Sequence, residues 1–317
     1  MTFLEHLPIL SADDVERALT REQAAAALTR ALRAGLEPGE DLERSVLDVT
    51  GGQLLLMPSA GASAVGLKTV TLAAGNPSRG LPRIQGAYLL FAAGTLELRA
   101  IMDGIAVTNL RTPAVSMAAT APLLTRFTEP IELVVFGAGP QAVGHVDAIR
   151  AVGPVELADV TYVVRHPERA REQLPPHATV VAADSSEVTA RLGRAQVVVC
   201  ATGARTPLFD SAPLADGAVV IAVGSHEPEV RELDGPLMAR AHVVVEDVRT
   251  ALREAGDVVL AIREGHLHAD ELIPMADVVR GTRTLPPDRT AVFKSVGMSW
   301  QDLVVAEELL EQHRRGR

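Results

Sequence analysis

The chain has 317 residues, 47% of them hydrophobic and 22% charged, with a formal net charge of -10, the composition of a folded globular protein long enough for two domains. The acidic excess argues against nucleic acid as a partner, because phosphate backbones are bound mainly through Lys and Arg. The single Cys200 can form no internal disulfide and builds no cysteine zinc site.

The N-terminal stretch MTFLEHLPILSADDVERAL carries acids where an export signal needs cations. The longest uncharged stretch, residues 49–67, is broken by Gly51, Gly52, Pro58 and Gly61, so no membrane helix is expected and a cytoplasmic chain is. Ser11 followed by Asp13 and Asp14 predicts a helix start, and Gly35 closes an Ala-rich helix over 11–34. From residue 45 to 98 short apolar runs separated by Gly and Pro, SVLDV, QLLLMP, AVGLKTVTL, AYLLF and LELRAIMDG, predict antiparallel strands. Asp103-Gly104 reads as a turn, and a helix is expected from about Thr112 through TPAVSMAATAPLL.

From Ile131 strands alternate with helices. IELVVF reads as a strand buried on both faces, followed by Gly137, Gly139 and Ala142 in the spacing G-x-G-x-x-A. The first glycine permits a tight turn, the second lets backbone approach a pyrophosphate, and the small third residue seats the helix on the strand. A helix from Pro140, with Gln141 in its first turn, would turn its free N–H groups toward the phosphates. Further strands are expected at 160–164, 179–182, 197–200, 218–224 and 242–247, with helices from Pro167, from Ser185 and over 233–240. The alternation predicts a Rossmann-type doubly wound parallel sheet binding a dinucleotide at 120–292. The tail reads as a strand or loop and then a helix with Leu303, Val304, Ala306, Glu307 and Leu310 on one face. It is too short to fold alone, so residues 293–317 are expected to return to 1–119 as a second, α+β domain with antiparallel strands, leaving a cleft between the domains.

The second strand ends in Arg165-His166-Pro167 where an NAD-binding carboxylate is expected, so the 2′-phosphate of NADP(H) is favoured and NAD(H) is the alternative. Three cations stand in apolar surroundings in the first domain: Arg44, Lys68 and Arg111. A buried cation needs an anion. Lys68 could be a snorkelling residue on an edge strand, Arg111 a structural ion pair and Arg44 a solvated residue. Together they suit a substrate carboxylate, which guanidinium groups bind bidentately while a lysine supplies a mobile proton. His266 and His268, two apart among acids, read as a solvated loop, and no metal site is expected.

The segments GLKTVTLAAGNPSRGLP, AIMDGIAVTNLRTPAVSMAAT, VVFGAGPQAVGH, VGSHEPEVRELD and TAVFKSVGMSWQDL, in this order, resemble the ornithine cyclodeaminase/mu-crystallin family over residues 44–302. The resemblance implies a homodimer built on the first domain and tail, and hydride transfer between nicotinamide and the α-carbon of an amino acid or cyclic imino acid. It implies that Lys68 and Arg111 hold the substrate carboxylate, with Lys68 sharing in proton transfer and Arg44 the more loosely matched third cation. It also implies that Ala201, Thr202 and Gly203, and Ser295, Val296 and Gly297, line the cofactor. The cyclodeaminases carry an aspartate where this chain has His226. Histidine is an acid or base near neutral pH but no permanent anion for a distal ammonium, so His226 reads as a catalytic group or a surface loop residue, with Glu227 as the neighbouring acid. A ketimine reductase or amino-acid dehydrogenase is therefore expected ahead of ornithine cyclodeaminase, with a non-catalytic NADP(H)-binding protein as the rival of another class.

Overall fold

A computed structural model describes residues 6–316; the first five residues of the stretch read as lacking an export signal lie outside it. The chain forms two compact units, one of residues up to Ala114 with the segment from Met298 onward, the other Val115–Gly297.

The first unit opens with β1 (Ile9–Leu10), α1 (Ala12–Ala18) and α2 (Arg21–Arg33). The expected single helix is thus two. Ser11 caps the first through a reciprocal bond with Asp14, and Thr20 caps a second start in the same way with Gln23. Five strands follow: β2 (Ser45–Val49), β3 (Gly52–Ala60), β4 (Ala64–Leu72), β5 (Ile84–Ala92) and β6 (Leu98–Asp103). Within the described residues they form a sheet in the order β1-β6-β5-β4-β3-β2, antiparallel except for β1 beside β6. Period-2 side-chain alternation puts Met57, Lys68, Tyr88 and Met102 in one cross-strand row, all buried.

Helix α3 (Gly104–Leu124) begins eight residues ahead of Thr112, its expected start. Asp103 and Gly104 are therefore a strand-to-helix junction rather than a turn. The Asp103 carboxylate accepts from the N–H groups of Ile105 and Ala106, 2.9 and 2.8 Å away, and so satisfies donors of the first helical turn.

The second unit contains β7 (Ile131–Phe136), α4 (Pro140–Val152), β8 (Leu157–Val164), α5 (Pro167–Arg171), β9 (Thr179–Ala182), α6 (Glu187–Leu192), β10 (Val197–Cys200) and β11 (Val219–Ala222). Then come α7 (Gly235–Arg240), β12 (His242–Val245), α8 (Val248–Glu254), α9 (Gly256–Arg263), β13 (Ile273–Pro274), α10 (Met275–Arg280) and β14 (Ala291–Lys294). Its sheet runs β13-β12-β14-β11-β10-β7-β8-β9, with every pairing parallel. Both faces are covered, so β10 and β11 are buried at every position, as the near-continuous valine runs require. AVFK is a central strand between β11 and β12, which moves the seam between the units from residue 293 to Met298.

Helix α11 (Ser299–Arg315) packs on β3, β4 and α2 of the first unit. Its buried face is Leu303, Val305, Ala306, Leu309 and Leu310; Val304 and Glu307, expected on it, are only half-buried. Asp41 holds its start by accepting from the Trp300 N–H at 2.6 Å and the Ser59 hydroxyl at 2.7 Å. Among the described residues no helix is long and apolar enough to cross a membrane.

Candidate active site

In the first unit β4 carries Lys68 into the interior. β4 lies between β3 and β5, which removes the edge-strand reading, and Lys68 is 2% exposed. Its ammonium donates to Asp302 Oδ2 at 2.7 Å and to Thr108 Oγ1 at 3.3 Å. Arg111, also buried, lies one turn beyond Thr108 on α3. Its Nε donates to Asp302 Oδ1 at 3.3 Å and its Nη1 to Gln301 Oε1 at 2.8 Å. One fully buried carboxylate thus joins both expected cations.

Burial holds the Lys68 amine down to about 8, with the positive fields of Arg111 and Arg44 adding to that and Asp302 opposing it. Arg44, half-buried ahead of β2, is therefore within electrostatic reach of Lys68. Buried ion pairs contribute little net stability compared with apolar packing. An arrangement with two cations and one carboxylate leaves net positive charge, which suits an anionic ligand.

In the second unit the chain leaves β7 toward β8 on one side and returns to β10 on the other. That reversal is the switch point at which open α/β sheets bind ligands, beyond the carboxyl ends of their strands. A cleft of about 800 Å³ opens there. Its lining includes Gly137 and Gly139 after β7, Arg165 and His166 after β8, and Ala201, Thr202 and Gly203 after β10. Gly137 has φ +111°, and a Cβ there would meet the Ala201 carbonyl oxygen at 2.6 Å, so only glycine fits the turn. A Cβ on Gly139 would meet nothing within 4 Å, leaving open space over the backbone. Pro140 is the first residue of α4, Gln141 follows it, and Ala142, the third, is fully buried on the helix's inner face. Two cations the sequence reading passed over, Arg169 and Arg205, join Arg165 in the lining.

Ser295, Val296 and Gly297 are not among the residues lining this cleft; the loop is pinned by the buried Glu246, which accepts from the Ser295 hydroxyl at 2.8 Å and from the Val296 and Gly297 N–H groups at 2.8 and 3.0 Å. Glu232 pins the loop after β10 to its own, accepting from Thr202 N and Oγ1 at 2.9 and 2.7 Å and from Gly224 N at 2.7 Å. Burial, reinforced by Asp257, pushes the Glu232 carboxyl up; Lys294 and Thr202 oppose that shift. Lys294 donates to the Ser225 carbonyl at 2.6 Å and pairs with Asp257 at 3.1 Å. His226 is exposed in the loop after β11, beside Glu227, whose carboxylate lies 3.9 Å from Arg205. The sequence reading missed Asp302, Gln301, Glu232, Glu246 and Asp257. One signal was available: Lys68 and Lys294 are the only lysines among the 30 Lys and Arg residues, and both are buried on carboxylates.

A doubly wound sheet with a glycine turn at its switch point, in one chain with an α+β unit holding buried cations, defines a two-domain dinucleotide-binding enzyme of the dehydrogenase class. The chain belongs to the ornithine cyclodeaminase/mu-crystallin family, whose family model matches residues 6–317. It is 32% identical to the ketimine reductase mu-crystallin of Rattus norvegicus, covering 97% of this chain and 98% of that one. It is 35% identical to the Delta(1)-pyrroline-2-carboxylate reductase of Paracoccus denitrificans over 76% of this chain and 77% of that one. A solved structure with the same fold is the Delta(1)-pyrroline-2-carboxylate reductase of Thermococcus litoralis in complex with NADH and L-proline, with a TM-score of 0.87, 24% identity and 98% of both chains covered.

Proposed function

We propose that this protein is an NADPH-dependent reductase of cyclic imino acids, converting Delta(1)-pyrroline-2-carboxylate and its six-membered homologue to the corresponding cyclic amino acids. The observation that carries this reading is the buried Lys68–Asp302–Arg111 arrangement, which offers a carboxylate-bearing substrate two fixed cations, one of them able to give up a proton near neutral pH. The names of the relatives agree with that substrate class.

Arg111 and Arg44 hold the substrate carboxylate, Arg111 with guanidinium donors beyond those spent on Asp302 and Gln301. Lys68 uses two of its three ammonium donors within the protein. The third reaches the substrate and transfers a proton to the imine nitrogen as that nitrogen becomes an amine. When bound, the nicotinamide supplies the hydride. The cleft of the second unit fits a dinucleotide: Gly137 and Gly139 clear backbone for the pyrophosphate, and the first turn of α4 offers it N–H groups. Arg165, Arg169 and Arg205 favour the 2′-phosphate of NADP(H) over NAD(H).

His226 replaces the aspartate expected of a cyclodeaminase and is exposed in its loop, so it stands as an auxiliary acid–base group rather than an anchor for a distal ammonium. The protein is a homodimer: the edge strand β2 is exposed along its length and shows Val46, Leu47 and Val49 to solvent, an apolar surface suited to a second copy. Its single cysteine, buried at the end of β10, suits the reducing cytoplasm.

The test is an assay of the purified enzyme. NADPH oxidation is expected with Delta(1)-pyrroline-2-carboxylate or Delta(1)-piperideine-2-carboxylate, and no ammonia is expected from ornithine with catalytic NADP. Proline and ammonia from ornithine without net cofactor turnover would make it a cyclodeaminase, and silence in every arm would leave only nucleotide binding.

A further inference from the structure

Lys68 and Lys294 are the two lysines of this chain, and all its other Lys and Arg residues are arginine. Lys68 is buried with a carboxylate that does not come from its own sheet. Asp302 lies in the first turn of α11, where the helix dipole favours an anion, and it is itself 0% exposed. Its two oxygens are divided between two partners, Oδ2 to Lys68 at 2.7 Å and Oδ1 to Arg111 at 3.3 Å. The preceding residue, Gln301, takes a second Arg111 nitrogen at 2.8 Å. Adjacent residues of α11 thus grip both cations by which, on the reading proposed above, the substrate is held.

We propose that Asp302 is the positioning residue of the substrate site: it sets the separation of Lys68 and Arg111 and keeps Lys68 charged, so that this lysine can deliver the proton to the imine nitrogen. This rests on the proposed imino-acid reductase activity for its chemistry but not for its geometry. The groups facing Lys68 are Asp302 from α11, Arg111 and the neutral Thr108 from α3, Arg44 ahead of β2, and Tyr88 opposite it on β5. Burial and the two arginines all favour the neutral amine, and Asp302 is the counter-charge that offsets them. Burial also keeps the Tyr88 hydroxyl protonated, so it adds no second anion. With Asp302 neutralised, three positive groups would share one apolar face, and Lys68 would shed its proton first because arginine holds its own.

The experiment uses the full chain with lysine isotopically labelled at Cε, which gives two side-chain signals, assigned by their loss in Lys68→Arg and Lys294→Arg. In the wild type the Lys68 signal is expected to titrate with a midpoint near 8. In Asp302→Asn the midpoint moves down by at least about one pH unit. The alkaline limb of kcat/KM for the cyclic imine moves with it, and NADPH affinity stays within about twofold. An unmoved midpoint and limb in Asp302→Asn overturn the proposal and leave the reductase reading standing. A moved Lys68 midpoint in a protein that reduces no cyclic imine supports the electrostatic role of Asp302 and defeats the substrate assignment instead. If Asp302→Asn does not fold, Asp302→Glu carries the test. It keeps the charge, so the midpoint stays near that of the wild type, while the displaced carboxylate lowers kcat/KM at least about tenfold. Wild-type kcat/KM in Asp302→Glu overturns the positioning role.

Discussion

Lys68→Met is expected to lower kcat/KM for a cyclic imino acid by about a thousandfold, within the range that a well-placed proton donor supplies, while NADPH affinity changes by less than about twofold. Methionine keeps the length and the apolar stem but removes both the charge proposed to hold the substrate carboxylate and the proton proposed to reach the imine nitrogen. It also leaves Asp302 with Arg111 as its charged partner, so a lower melting temperature is expected alongside the lost activity. Nucleotide titration by fluorescence separates the two effects. A variant that is folded, binds NADPH normally and still turns over near the wild-type rate would remove Lys68 from the chemistry. Lys68→Arg is informative in the same assay. It preserves positive charge but cannot release a proton near neutral pH, so substrate binding is expected to survive better than kcat.

The second large effect concerns cofactor choice. Arg165→Ala combined with Arg169→Ala is expected to raise KM for NADPH by about a hundredfold and to leave KM for NADH within about threefold. A hydrogen bond to a charged phosphate contributes about 1.5–3 kcal/mol, and both side chains line the cleft beyond the end of β8. NADH has no 2′-phosphate to lose. Arg205, from the loop after β10, is the third cation on this cleft, so selectivity should fall without vanishing in the double variant. Equal losses for the two cofactors would show that these arginines support the loop rather than read the phosphate.

Much of this was legible in the sequence because local patterns decided it. AVGLKTVTL is a strand to the residue, and the glycine spacing after IELVVF marks the switch point, because both are set by backbone needs within a few residues. Lys68 and Arg111 stood out as cations among apolar neighbours, and both are buried. The family and the doubly wound fold with its antiparallel companion unit are now established by the whole-length match and the strand order. What escaped the reading depends on distant parts of the chain. Asp302 sits in a helix that also carries Glu307, Glu308 and Glu311, and nothing in its neighbours shows that it folds 234 positions away from its lysine. Glu232 and Glu246 escaped notice because their partners, the backbone N–H groups of Thr202, Gly224 and Val296, are brought to them by the fold rather than by neighbours in sequence. The early start of α3 was hidden because a carboxylate at the end of a strand served as the cap. AVFK was ambiguous because four apolar-to-basic residues fit a loop as well as a strand until β11 and β12 flank them.

On the proposed function, hydride passes from the nicotinamide to the imine carbon beside a carboxylate held by Lys68 and Arg111. Its most direct measurement is reduction of Delta(1)-pyrroline-2-carboxylate with NADPH deuterated at C4 on one face at a time, the product being analysed by mass spectrometry and proton NMR. One of the two labelled cofactors is expected to give proline carrying a single deuterium at Cα and the other none. Unlabelled proline from both cofactors, or deuterium at any carbon other than Cα, would contradict it.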